Sequence, residues 1–261
     1  MEEHYTILLE PRSVFKGHVT PQSGTAANIS AEINKEMGNL MKNITVIGRD
    51  GTNTNVGRKN GVITRLEAMT NRALQWSICL LHMNELPLRH LVKKTDGETS
   101  GPKGFTGPLG KMLLKADSMP IVDFAAIPSE DLCVTNEDIS TDQRYLLRIY
   151  NAVKIGSVDE SLAMTEPGNI SHARWLTMAN RFLRLYVASS EPSDELLRIV
   201  TYIMRAYVPT WFSIKREESI FKGSKHYYGL IRRCQSLDNE TIEIVFPVIQ
   251  NNAYFAHTEC I

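Results

Sequence analysis

Long apolar runs are missing from this sequence: nowhere in its 261 residues is there a stretch approaching the roughly 20 apolar positions that a membrane-crossing helix needs. The first residues also lack the basic-then-apolar order of a secretory signal, which predicts an intracellular chain. Charge of one sign is absent too, since 29 Lys and Arg face 29 Asp and Glu. Without a net field, any nucleic-acid contact has to rest on local patches. Cysteine is scarce, and Cys79, Cys133, Cys234 and Cys260 are widely scattered, so reduced thiols are expected rather than a disulfide framework. Neither a GxxxxGK[ST] phosphate loop nor a GxSxG nucleophile elbow occurs, which removes the usual markers of P-loop hydrolysis and α/β-hydrolase chemistry.

What is present reads as a mixed α/β fold. His4–Glu10 (HYTILLE) and Ser13–Val19 (SVFKGHV) are β-rich and flank a short connection, the pattern of an antiparallel hairpin. Ser23 and Thr25 stand as caps before a helix whose apolar positions Ala27, Ile29, Ile33, Met37 and Leu40 recur near the helical period. Ile44–Gly48 is a short apolar run, expected to be a central strand covered on both faces, and Asp50 closes it. A helix over 57–71 and a second central strand over 74–81 come next. The helix after them, 82–94, carries Pro87 in its interior and is expected to kink or restart there. Met1 lies only a few residues before the first β-rich run, so the chain is expected to begin inside a domain.

Residues 96–110 hold five glycines and two prolines and predict a loop, either an irregular connector or a docking segment. Beyond it the pattern turns helical, over 141–156, 172–189, 193–207 and 224–237, with an extended segment at 240–248. The expected organisation is an α/β core over 1–95, an irregular connector over 96–140, a helical region over 141–237 and an extended tail over 238–261.

Three groups of residues could carry chemistry. Asp50 precedes GTNTNVG, a turn rich in small polar residues, with Asn53 and Asn55 in it. A strand-end carboxylate can hold a hard cation such as magnesium, and it can equally begin an Asx turn and cap the residues after it. Cys79 and His82 have metal-ligand spacing but no second pair to complete four ligands, so a structural role is expected and no zinc site. Arg174 and Trp175 open a helix and could offer a phosphate contact with a stacking face, or an exposed cation beside a buried ring. The basic positions Lys215, Arg216, Lys222, Lys225, Arg232 and Arg233 read as a solvated face.

These short runs occur in the order seen in hAT-superfamily DNA transposases. Thr25–Ile29 (TAANI), DGTNTNVG from Asp50, CLLHMNELPLRHL from Cys79 and HARWLTMANRFLRL from His172 resemble the motifs of that family and of transposon-derived proteins, over about residues 3–207. The resemblance implies a ribonuclease H-like mixed sheet with a helical insertion, acting on DNA with magnesium. It implies Asp50 as the second acid of the catalytic set, Cys79 and His82 as flanking residues, Arg174 and Trp175 at the DNA end, and a nuclear location. The sheet is expected to lack its first strand and the acid on it, while Glu240, Glu243 and Glu259 have no recognisable third-acid setting. The chain is therefore expected to be catalytically incomplete alone, retaining nucleic-acid binding at most, with self-association or the rest of a longer protein as further partners. The alternative is a non-enzymatic protein–protein interaction domain.

Overall fold

The computed structural model describes residues 3–10, 12–99, 104–134, 139–169, 174–217 and 219–252; the side chains of residues 174 and 219–221 also lie outside the description. Contacts divide the chain into two compact units, Met1–His82 and Met83–Ile261.

In the first unit, β1 (Tyr5–Leu9) pairs antiparallel with β2 (Val14–Val19), with a register shift between Ile7 and Leu8. Arg12 and Ser13 both take positive φ, 86° and 51°, which lets so short a connection follow the twist of the strands. α1 (Ala26–Met37) starts at Thr25, whose side chain accepts from the Asn28 amide, and buries Ile29, Ile33 and Met37. Each such side chain contributes about 1.5–3 kcal/mol relative to exposure. A 3₁₀ turn (Gly38–Asn43) leads to β3 (Val46–Arg49); α2 (Asn53–Val56) and α3 (Val62–Thr70) then cross to β4 (Gln75–Ile78). β3 and β4 pair in parallel, Val46 opposite Gln75 through Arg49 opposite Ile78. Ile29, Ile33, Met37, Met41, Val62, Leu66 and Leu74 form the core, and Tyr5, Ile7, Leu9 and Ile47 pack on it.

Two expectations need correction here. The strands do not join into one mixed sheet: the described residues form two two-stranded sheets, β1–β2 and β3–β4. Nor are β3 and β4 central. β3 alternates exposed with half-buried positions, because Ile47 packs on the core from one face while Val46, 39% exposed, points away from it.

α4 (Leu80–Asp96) runs from the first unit into the second and carries Pro87 without restarting. The second unit continues with α5 (Pro108–Leu113), α6 (Thr141–Ile155), α7 (Glu160–Ala163), α8 (Arg174–Tyr186) and α9 (Asp194–Tyr202). A π-helical turn (Ile203–Tyr207), α10 (Val208–Arg216), α11 (Ser219–Cys234) and α12 (Asn239–Asn252) complete it. Helix extends past the expected end at Tyr207 because Pro209 falls in the first turn of α10, where a missing N–H costs nothing. The extended segment expected at 240–248 is instead α12. Asp238 caps it, its carboxylate accepting from the Thr241 amide at 2.9 Å and the Thr241 hydroxyl at 2.6 Å, and Thr241, Val245 and Ile249 are buried on one face. No described helix is long and apolar enough to cross a membrane.

α8 holds this unit together. From Leu176 to Ala188 every residue is buried, polar ones included. Asn180 donates to the carbonyls of Asp142 (3.1 Å) and Pro167 (3.2 Å). Arg181 donates to Leu113 (2.8 Å) and Gly168 (3.1 and 2.9 Å), and Arg184 to Met119 (2.6 Å). The connectors around residues 113–119 and 167–168 form no ladder of their own, so these side chains supply the donors that their buried carbonyls require. Replacing Arg181 by Met is expected to destabilise the chain by about 3 kcal/mol, since two carbonyls lose a charged donor. Arg181→Lys should recover little, because an ammonium cannot reproduce the planar fork. Urea unfolding of both variants checks this, and full rescue by lysine would show that charge alone suffices.

Candidate functional site

The loop at the carboxyl ends of β3 and β4 gathers five of the residues singled out from sequence: Asp50, Asn53, Asn55, Cys79 and His82. β3 delivers Asp50, and the ladder runs one residue further, with the Cys79 amide donating to the Arg49 carbonyl at 2.9 Å. Cys79 is exposed. His82 lies in the first turn of α4 with its ring over Gly51, where an added Cβ would come within 2.5 Å of the imidazole Cδ2. Glycine at 51 is therefore what lets the ring approach.

Asp50 is engaged on one side only. Its Oδ1 accepts from the Thr52 amide at 3.1 Å, the Thr52 hydroxyl at 2.7 Å and the Asn55 side-chain amide at 2.6 Å. Oδ2 accepts no hydrogen bond among the described residues. Partial burial pushes the carboxyl pKa up, but the bonds from Thr52 and Asn55, together with the His82 charge, outweigh it and hold the group below the usual carboxylate range. Asn55 is buried and spends its amide on Asp50, while Asn53 is exposed and offers its backbone carbonyl to Gly57 at 2.9 Å. The loop then closes on itself: the Gly61 amide donates to the Gly57 carbonyl at 2.7 Å, and a Cβ on Gly61 would lie 2.5 Å from the Gly57 nitrogen.

Thr52 carries two of the three bonds to Asp50, and sequence reasoning missed it. An Asp-x-Thr spacing after a strand, the pattern of an Asx turn, was the available signal. Arg49 was missed as well. It sits on the inward side of β3 with its guanidinium carbon 5.2 Å from the centroid of the Tyr5 ring, and burial pulls its pKa below the ordinary arginine value.

The remaining candidates belong to the second unit. Trp175 is half-buried at the start of α8; the side chain of Arg174 lies outside the described residues, as do His172, Glu259 and Cys260. Glu240 pairs with Arg198 at 2.5 Å. The basic positions are largely engaged: Lys225 and Arg216 pair with Glu217, and Arg233 with Glu130. In the glycine-rich segment, the Leu109 and Gly110 amides at the start of α5 are taken by the buried carboxylate of Asp96, at 2.8 and 2.7 Å. Those donors are not free to cradle a phosphate.

One carboxylate oxygen without a hydrogen bond, on a group that feels the charge of a nearby imidazole, falls short of the oxygen-rich set that magnesium takes. Among the described residues no group of three or more His, Cys, Asp or Glu side chains could hold a metal ion. The residues present thus do not by themselves fit a two-metal centre, and the chemistry they support is hydrogen bonding and charge. Comparison with family models, curated proteins and solved structures gives no match.

Asp50→Ala is expected to cost about 1 kcal/mol at neutral pH, the scale of a lost cap. Because the folded-state pKa is lowered, the charge-dependent part is present above the unfolded carboxylate value of about 3.9 and is lost as pH falls through the lower folded value. Urea unfolding at neutral and acidic pH reads this, and an equal deficit at both would assign the whole effect to neutral packing. Gly61→Ala should destabilise by about 1–3 kcal/mol, since backbone, not a movable side chain, fills the space; an unchanged melting temperature would contradict that close approach.

Proposed function

We propose that this chain is a transposase-derived, ribonuclease H-like protein that is catalytically incomplete alone and retains nucleic-acid binding at most. One observation carries the reading. An antiparallel hairpin and a parallel pair flank a common groove through β1 and β3, and an aspartate stands at the carboxyl end of the first parallel strand. That order and those directions are what a ribonuclease H-like sheet without its first strand would leave. Oδ2 of Asp50, which accepts no hydrogen bond among the described residues, and the His82 charge acting on the carboxyl support Asp50 as the second acid of the set. Ligands and chemistry gather at such strand ends because loops and helix starts converge there. In this reading magnesium binds only when further carboxylates complete the site, and Arg174 with Trp175 contacts DNA.

The competing reading, a non-enzymatic protein–protein interaction domain, is favoured by strand edges along the groove that have no strand partner among the described residues.

Fluorescence anisotropy with single-stranded and hairpin DNA, run beside a magnesium-dependent nicking assay, separates the outcomes. Expected are salt-sensitive binding that weakens in Trp175→Ala, and no nicking in wild type or Asp50→Asn. Nicking that persists in Asp50→Asn would remove Asp50 from the site, and the absence of DNA binding at low salt would overturn the nucleic-acid reading.

A further inference from the structure

The outer face of the β1–β2 hairpin carries two histidines that lie outside the Asp50 loop. Tyr5, Ile7 and Leu9 pack on the core, so alternation along the strand turns His4, Thr6 and Leu8 the other way, and all three are exposed. The register sets Thr6 opposite His18 and Leu8 opposite Phe15. One residue beyond the ladder His4 meets Thr20, its Nδ1 2.8 Å from the hydroxyl. His4 and His18 are thus diagonal neighbours on one exposed face, a separation that ring side chains bridge. Their ring centroids lie 6.1 Å apart, with the planes at 59°.

Imidazole nitrogen suits zinc, and two rings on one tetrahedral ion have centroids roughly 5 Å apart, given zinc–nitrogen bonds of about 2 Å. Exposed side chains at the observed spacing reach that geometry by a small turn about χ1 and χ2. The tautomer in which Nδ1–H of His4 donates to Thr20 puts the lone pair for an ion on Nε2 and fixes the ring. Zinc takes four ligands, and among the described residues no third His, Cys, Asp or Glu joins the pair. One chain therefore supplies half a site. Further along the same face stand Leu8 and Phe15, 51% and 63% exposed. They are too little apolar area to hold an interface alone. Stacked sheets lie about 10 Å apart, a gap that two opposed histidines with an ion between them span.

We propose that His4 and His18 bind zinc together with the same two residues of a second copy, so that one ion joins two chains face to face through their hairpins. The contact is isologous. With the two-fold axis along the hairpin and through the ion, four imidazoles surround the zinc, and Leu8 and Phe15 meet their own counterparts. Because the apolar contact is small, the ion decides whether the dimer forms. Ligation also ties the residue before β1 to β2, so zinc stabilises the folded hairpin by mass action. The site uses neither Asp50 nor DNA, so failure of the nuclease reading leaves it standing.

The test is sedimentation velocity of the full chain in EDTA and in zinc chloride, with calorimetric titration for stoichiometry. Expected are a monomer in EDTA, a dimer in zinc that EDTA reverses, and one ion for every two chains. His4→Gln and His18→Gln should each weaken the zinc-dependent association at least about tenfold, and Phe15→Ser by a smaller factor. Both histidines are exposed, so thermal melts of these variants in EDTA should match wild type, which separates lost ligation from lost folding. The wild-type stoichiometry decides even where a variant folds poorly. A dimer that persists in EDTA, zinc bound as one ion per chain without a change in sedimentation, no zinc binding, or an undiminished zinc dimer when both histidines are glutamine would overturn the proposal.

Discussion

Every buried backbone donor and acceptor has to find a partner, and the two units of this chain meet that constraint by opposite routes. The second unit has long connectors and, among the described residues, no strands for them to pair with, so α8 turns its polar side chains inward and donates to their carbonyls. Burial pulls the Arg184 pKa below the ordinary arginine value, and the Tyr145 hydroxyl is pushed up to about 12, again chiefly by burial. Arg184 spends Nη2 on the Met119 carbonyl, while its Nε and Nη1 and the Tyr145 hydroxyl find no hydrogen-bond partner among the described residues, so part of this desolvation is left uncompensated. The first unit uses the same device: Arg72 donates to the carbonyls of Met41, at 3.1 Å, and Ile44, anchoring the turn before β3, and Arg65 donates to the Asn60 carbonyl at 3.3 Å. Along the facing edges of β1 and β3 no strand partner is present among the described residues, and a groove partly open to solvent lies there.

Much of the first unit was legible because its signals are local. The Thr25 cap, the Ile29–Ile33–Met37 stripe, the hairpin and the strand ending before Asp50 each depend on neighbours a few residues away. The split into two sheets was not legible. Alternation shows which residues face the core, but it carries no information on which edges meet, and the apolar run Ile44–Gly48 has the same composition whether it has one strand neighbour or two. α12 was misread for a related reason. Ile242, Ile244, Val245 and Val248 are β-branched and favour strands, yet Asp238 caps the helix start and tertiary burial of Thr241, Val245 and Ile249 outweighs a propensity worth well under 1 kcal/mol per residue.

The candidate site was legible as a set of residues and opaque in its roles. The two sequence readings of Asp50, turn residue and metal ligand, are not exclusive, because a carboxylate has two oxygens. Oδ1 is consumed by the loop and fixes the group; Oδ2 accepts no hydrogen bond among the described residues. A turn that holds its aspartate this firmly also orients the remaining oxygen, which is what a functional carboxylate needs from its supporting residues. The motif around Arg174 shows the converse. Its density of arginine suggests phosphate contacts, but Arg181 and Arg184 are buried and spent on carbonyls, so the charges of that run are largely structural.

The groove runs along the whole of β3, from Val46 to Arg49, and the aspartate stands immediately beyond that strand's carboxyl end. Arg49 and Asp50 are neighbours in the chain whose surroundings act differently: burial pulls the guanidinium below its ordinary pKa, while at the carboxyl partial burial is outweighed by the loop's hydrogen bonds, which hold it below its own.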